Sequence, residues 1–184
     1  MNRKKLYDIT LVALFSAIIV ICSLISVPSA IPFTLQTFAV FLSLCVLGAE
    51  KGILSIIIYI ILGLVGLPVF SGFNSGLGAL LNVTGGYISG FVFSGFTFWA
   101  FTALLKIKNT EILKAVASFA GLLICYIFGT GWYILMFMNS GEKISIASGV
   151  TACVVPFIIP DILKILLAVS VSKKIEKVLK KRML

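Results

Sequence analysis

Histidine is absent from this 184-residue chain, and charge of either sign is scarce: Asp, Glu, Lys and Arg together make up 11% of it. Without imidazole, the commonest metal ligand and general base is missing. The six acids are not clustered, and no Ser-Lys or Asp-Asp pairing is evident. No metal, no cofactor and no enzymatic activity are therefore expected. No lysine or arginine directly follows a glycine, so the GxxxxGK[ST] phosphate loop is absent and the chain is not itself a P-loop ATPase. The four cysteines, Cys22, Cys45, Cys125 and Cys153, stand singly inside apolar runs. That spacing suits small packing residues rather than disulfides or metal ligands.

What fills the chain instead is hydrocarbon. Sixty per cent of the residues are hydrophobic, whereas a soluble domain carries about a quarter of its residues as charges. A membrane-spanning helix takes about 20 apolar residues, so the length accommodates roughly six. The runs, such as 11–25, are apolar on every face rather than alternating, which excludes a membrane β-barrel. The fold expected is an all-α integral membrane protein, one domain over 1–184, with spans near 6–27, 34–47, 53–66, 85–105, 115–138 and 146–172. The N-terminal run is longer than a signal-peptide core and is followed by Pro28, so a retained first helix is expected.

Six spans place both termini on one side. Thirteen of the fifteen basic residues then fall on that side: Arg3, Lys4 and Lys5, Lys51 in the first turn, Lys106, Lys108 and Lys114 in the second, and six in the tail from Lys173 to Arg182. Lys143 alone lies opposite, and Lys164 lies within a span. Basic residues collect on the cytoplasmic side, so both termini are expected in the cytoplasm. The net charge of +9 is accounted for by topology and by anionic lipid, with no nucleic acid as partner. The glycine-containing connection 67–84 and the short loop near 28–32 fall outside, and a connection as long as 67–84 suits a lid or binding loop.

The one breach of apolarity is Asp161 and Lys164, inside VPFIIPDILKILLAVS at 155–170. An ionisable side chain at the bilayer centre costs about 2.5–3.5 kcal/mol on insertion scales. Residues three apart share a helix face, so Phe157, Asp161, Lys164 and Ala168 form one stripe turned into the bundle. Pro160 suits a first helical turn, which would put Asp161 where the helix dipole favours an anion. Counted back from Lys173, Asp161 lies ~18 Å deep at about 1.5 Å per residue. Three readings stay open for the pair: mutual neutralisation, a ligand site, or a proton relay. Gln36, Asn82, Tyr87, Trp132 and Tyr133 are further polar or aromatic candidates within or at the ends of spans. Trp132, in GTGWY, is placed to offer its ring to a flat apolar ligand. Ala13 and Ala17, and Gly86 and Gly90, are small residues four apart, a spacing that lets helices approach closely.

Four segments in order along the chain, PFTLQTF at 32–38, GLVGLPVFSGF at 63–73, TGGYISGF at 84–91 and PFIIPDILK at 156–164, resemble the BioY family, the biotin-binding S components of energy-coupling factor (ECF) vitamin transporters. The resemblance implies a bacterial cell-membrane protein that captures biotin from outside. Its implied partners are a transmembrane coupling protein and two ABC-type ATPases, which would use the ATP. It implies biotin contacts from Asp161 and Lys164, with Lys164 suited to the carboxylate and Asp161 to the ureido N–H groups. Asn82, Tyr87, Trp132 and Gln36 join them as ligand-binding candidates. It also implies a coupling-protein contact at Ala13 and Ala17. Where the family pattern has GPTGGY and PGD, this chain has NVTGGY and IPD; Asn82 is thus an added polar group, and Pro160 stands directly before Asp161. The alternatives carried forward are an S component for another small anionic vitamin and a stand-alone proton-coupled transporter.

Overall fold

The computed structural model describes residues 3–28, 31–141 and 144–183, with backbone alone for 180–183. Residues 29–30 of the loop near 28–32 lie outside the described residues, as do Lys143 and the side chains of Lys180, Lys181 and Arg182. Among the described residues eight α-helices are formed: α1 Arg3–Leu24, α2 Gln36–Leu47, α3 Ala49–Leu64, α4 Gly76–Leu80, α5 Gly85–Leu104, α6 Thr110–Asn139, α7 Ile146–Cys153 and α8 Ile158–Met183. A two-stranded antiparallel ribbon, β1 Ser26–Val27 and β2 Phe33–Thr34, joins α1 to α2.

Four segments are long and apolar enough to cross a membrane: Arg3–Leu24, Gly85–Leu104, Thr110–Asn139 and the run Ile146–Leu179. The 12 residues of α2 and the 16 of α3 make rods only about 18 and 24 Å long at 1.5 Å per residue. α2 is also the most enclosed of the helices. Ten of its 12 residues are buried, packed against α1, α3 and α8. A helix apolar on every face is either enclosed by other helices or turned to lipid, and the burial of α2 assigns it to the first kind. Gly48 alone links α2 to α3, at φ +79, a conformation open to glycine and strained for other residues.

Two segments carry internal structure that their apolar pattern does not show. The span expected over 146–172 is divided: α7 ends at Cys153, a 3-10 turn covers Val155–Phe157, and α8 begins at Ile158. Pro156 has no N–H to donate and its ring disfavours a continuous helix, which breaks the rod; the backbone departs from helical geometry at Val154, with φ −121. The connection 67–84, expected without secondary structure, carries a 3-10 turn at Ser71–Phe73 and the single-turn helix α4. α4 closes against the start of α5 so tightly that a Cβ on Gly85 would lie 1.7 Å from the Leu80 carbonyl oxygen.

The tightest helix pair is α5 with α6. Gly86, Gly90 and Ser94 run along one face of α5, and Gly121, Cys125 and Gly129 run along the facing side of α6. A Cβ on Gly86 would come within 2.2 Å of Trp132 Cβ, and one on Gly129 within 2.3 Å of the Tyr87 ring. Ser94 Oγ donates across this seam to the Gly121 carbonyl at 2.8 Å. Lipid gives helices no hydrophobic reason to associate, so close backbone approach and such hydrogen bonds supply it. Between α1 and α3, Ser16 Oγ donates to the Ser55 carbonyl at 3.0 Å. The bundle end opposite the β ribbon is tied by ion pairs: Lys51 with Asp8 at 2.6 Å, Lys114 with Glu176 at 2.7 Å and Lys173 with Glu111 at 2.5 Å.

This seam makes a sharp distinction between glycines of the two helices. Gly86→Leu should lower stability by about 1–3 kcal/mol through overpacking, seen as a lower unfolding midpoint in detergent. Gly131→Ala in α6, where an added Cβ meets nothing within 4 Å, should be neutral or stabilising by up to about 1 kcal/mol. Equal losses in both would refute the seam.

Candidate functional site

At the ribbon end, α2, α5, α6 and α8 diverge around a cavity of about 260 Å³. Its lining comes from these four helices, from the β ribbon and from the 65–84 connection. Five of the candidates named from the sequence alone meet on its wall: Gln36, Asn82, Tyr87, Asp161 and Lys164 all face the same space.

Asp161 and Lys164 form its floor. Pro160 and Asp161 occupy the first turn of α8, which begins at Ile158. The first-turn N–H groups of a helix lack an intrahelical acceptor, so the missing proline N–H costs little there. Three residues on, Lys164 rises on the same face, and its Nζ donates to Asp161 Oδ1 at 2.9 Å. The two side chains are 3% and 8% exposed as residues, so each depends on its partners. Lys164 Nζ also donates to the Thr34 carbonyl at 2.7 Å and lies 4.0 Å from the Phe33 ring centroid. Phe33 in turn stacks on Phe157 at 6.0 Å. The ammonium thereby pins the strand β2 to α8. On the other side, Tyr126 of α6 donates its hydroxyl to Asp161 Oδ2 at 2.7 Å. A buried carboxylate with one oxygen on an ammonium and the other on a phenol is charge-compensated and oriented.

The remaining wall is more neutral. Gln36 opens α2, is buried, and donates from Nε2 to Tyr59 Oη at 3.0 Å. Tyr87 bridges three helices: its hydroxyl donates to the Cys153 carbonyl at 3.2 Å and sits 3.0 Å from Thr130 Oγ1. Asn82 accepts the Val83 N–H on Oδ1 at 2.7 Å, within the turn that leads into α5. Phe91, Ile88, Leu122 and Phe157 supply apolar surface. A few convergent polar groups in a mostly apolar concavity is the usual form of a small-molecule site. The connection 65–84 covers one side of it. Phe70 anchors that connection: it is 2% exposed, meets Tyr59 edge-on at 5.5 Å, and fills the space that Gly63 leaves open. Ser23 donates to the Val69 carbonyl beside it.

Trp132 is not part of the cavity lining. Its indole N–H donates to the Asn82 carbonyl at 2.9 Å, which fixes the turn that carries Asn82. Of the two glycines flanking it, Gly129 receives the Tyr87 ring and Gly131 faces open space. The sequence reading passed over Tyr126, Phe33 and Thr34. Tyr126 could have been noticed as a tyrosine in mid-span, where a hydroxyl needs a partner. Thr34 acts through its backbone carbonyl, which no residue pattern signals. Ala13 and Ala17 lie on an exposed face of α1 with Ile9, Leu14 and Ile21, away from the cavity.

Comparison with known proteins bears on this arrangement. The chain matches the BioY family over residues 1–181. It is 38% identical to a Pyrococcus horikoshii protein named "Probable biotin transporter BioY", over 94% of this chain and 98% of the relative. It is 37% identical to the biotin transporter BioY of Thermotoga maritima, over 89% of this chain and 92% of the relative. Its structure superposes with a TM-score of 0.84, at 26% identity and over 96% of this chain and 94% of the other, on the crystal structure of the S component for biotin from an ECF-type ABC transporter. The apolar helices and these relatives together make it a multi-pass protein of the cytoplasmic membrane, and a transport protein rather than an enzyme. A match along nearly the whole length, in sequence and in fold, makes this chain a member of the BioY family.

Proposed function

We propose that this protein is the biotin-capturing S component of an ECF-type importer. The observation that carries it is the Asp161–Lys164–Tyr126 cluster on the floor of the cavity, in a chain whose relatives bear the name biotin transporter. On this reading the ribbon end faces outward and the ion-paired end faces the cytoplasm with both termini. Six segments cross: α1, α2, α3, α5, α6, and α7 with α8.

The geometry refines how biotin is met. Asp161 and Lys164 are 2.9 Å apart, so the pair receives one end of an extended ligand rather than both. A ureido ring presents N–H donors beside a carbonyl acceptor, and the pair presents a carboxylate beside an ammonium. Asp161 accepts a ureido N–H, and the third Lys164 N–H donates to the ureido oxygen. The floor is already neutral as a pair, so a carboxylate placed there would leave a net buried negative charge, which is costly. The valerate carboxylate points instead toward the loop side of the cavity, past Asn74 and Asn82. Gln36 and Tyr87 line the path of the apolar body. Trp132 serves by holding the Asn82 turn.

The exposed Ala13 and Ala17 face of α1 is the surface for the membrane-embedded coupling protein, whose ATPase partners supply the energy that this chain does not. Small side chains there permit close helix approach.

Binding of biotin by the purified chain tests the reading. Sub-micromolar affinity is expected without any ATPase partner. Asp161→Asn and Tyr126→Phe should weaken it by about 10–150-fold, the worth of a charge-assisted hydrogen bond of about 1.5–3 kcal/mol, with folding followed by the unfolding midpoint. No binding by folded protein overturns the assignment. Biotinamide, with a neutral tail, should bind within about fivefold of biotin; a loss above a hundredfold would bring the carboxylate back to Lys164. Ala17→Trp should abolish co-purification with the coupling protein while sparing biotin affinity, and normal assembly of that variant would remove α1 from the interface.

A further inference from the structure

A second concavity lies far from the ligand site, between the start of α3 and the half of α5 nearest the ion-paired end. It has a volume of about 360 Å³ and is lined by Glu50, Ile53, Phe96 and Trp99. Gly95 brings the two helices together there, since a Cβ on it would lie 2.6 Å from Ile53 Cγ1. Phe96 and Trp99 are each about half exposed, so the groove opens on the lipid-facing side of α5.

Glu50 is the unusual member. Among the described residues Asp8, Glu111, Asp161 and Glu176 each form an ion pair, and Glu50 forms none. It stands in the first turn of α3, one residue from Lys51, which is taken by Asp8. Lysines outnumber carboxylates at the end of the bundle it occupies, where Asp8, Glu111 and Glu176 are each taken by a lysine. A tryptophan beside it marks the depth of the membrane–water boundary, where amphipathic rings collect. The groove thus offers apolar walls for a chain, an aromatic face, and one unpaired anion at interfacial depth.

We propose that this groove binds a phospholipid with a primary-ammonium headgroup. The ammonium donates to the Glu50 carboxylate and lies near the Trp99 face, a cation–aromatic contact. One acyl chain follows Phe96 and Ile53. An anionic headgroup is disfavoured by Glu50, and a quaternary choline carries the charge without an N–H to donate. The proposal rests on the membrane location of the chain and is independent of what the outer cavity binds.

The test uses the full chain in vesicles. Trp132→Phe leaves Trp99 as the single tryptophan, because the chain has two. Brominated-acyl phosphatidylethanolamine, phosphatidylcholine and phosphatidylglycerol are compared as quenchers of Trp99 at equal mole fraction. The ethanolamine lipid should show a relative binding constant about two- to fivefold above the choline lipid, the scale of an exposed ion pair, and Glu50→Gln should return it to about one. Equal quenching by all three lipids, a preference for phosphatidylglycerol, or an ethanolamine preference that survives Glu50→Gln overturns the proposal. Native mass spectrometry of the chain with Trp132 intact supplies a readout free of that substitution: retained phosphatidylethanolamine should fall in Glu50→Gln, and unchanged retention counts against the site.

Discussion

A lysine and an aspartate buried in an apolar helical bundle set the terms for everything near them. Neither charge survives in hydrocarbon alone, and removing either leaves the other stranded. The structure answers with three partners drawn from three elements: the neighbouring side chain on α8, the Tyr126 hydroxyl from α6 and the Thr34 carbonyl from β2. α6 and the β ribbon are thereby held against the start of α8. The cavity is the space those three leave between them and the first turns of α2 and α5. A floor that is rigid, neutral in sum and still equipped with a free donor and free lone pairs is well prepared for a ligand with both kinds of group.

The bundle around that floor divides its work by depth. Near the ribbon end the packing is broken by short elements, α4, α7, two 3-10 turns and the ribbon itself, and the cavity lies among them. In the middle, α5 and α6 close on each other through glycine, serine and cysteine, and α2 is enclosed by its neighbours. At the far end three lysine–carboxylate pairs tie α1 to α3 and α6 to α8. These pairs are partly exposed, so each adds little stability by itself. Two of them join α6 to α8, the helices that carry Tyr126 and Asp161.

Asymmetry of side-chain size on the outer surfaces is equally marked. α1 presents alanines four apart, which suits another helix at close range. α5 presents Phe93, Phe96 and Trp99, which hold a neighbouring backbone away and leave grooves between rings. The α1 face is thus smooth and the α5 face ridged, and Glu50 of α3 stands beside the second.

Amino-acid order alone determined the membrane class, the approximate rods and the shared helix face of Asp161 and Lys164, because hydropathy and helical spacing are local properties. It also marked Gln36, Asn82 and Tyr87, polar groups in apolar runs that needed somewhere to go. Family resemblance was legible in four short segments. The tertiary structure alone decided who the partners are. Lys164 meets a carbonyl 130 residues away, and a backbone acceptor has no signature in the side-chain pattern. Trp132 looked like a pocket ring, yet the Gly86 contact turns it toward the Asn82 turn, because close helix approach depends on both helices at once. Periodicity fixes which face of a helix is polar, whereas the neighbour to that face is fixed by packing.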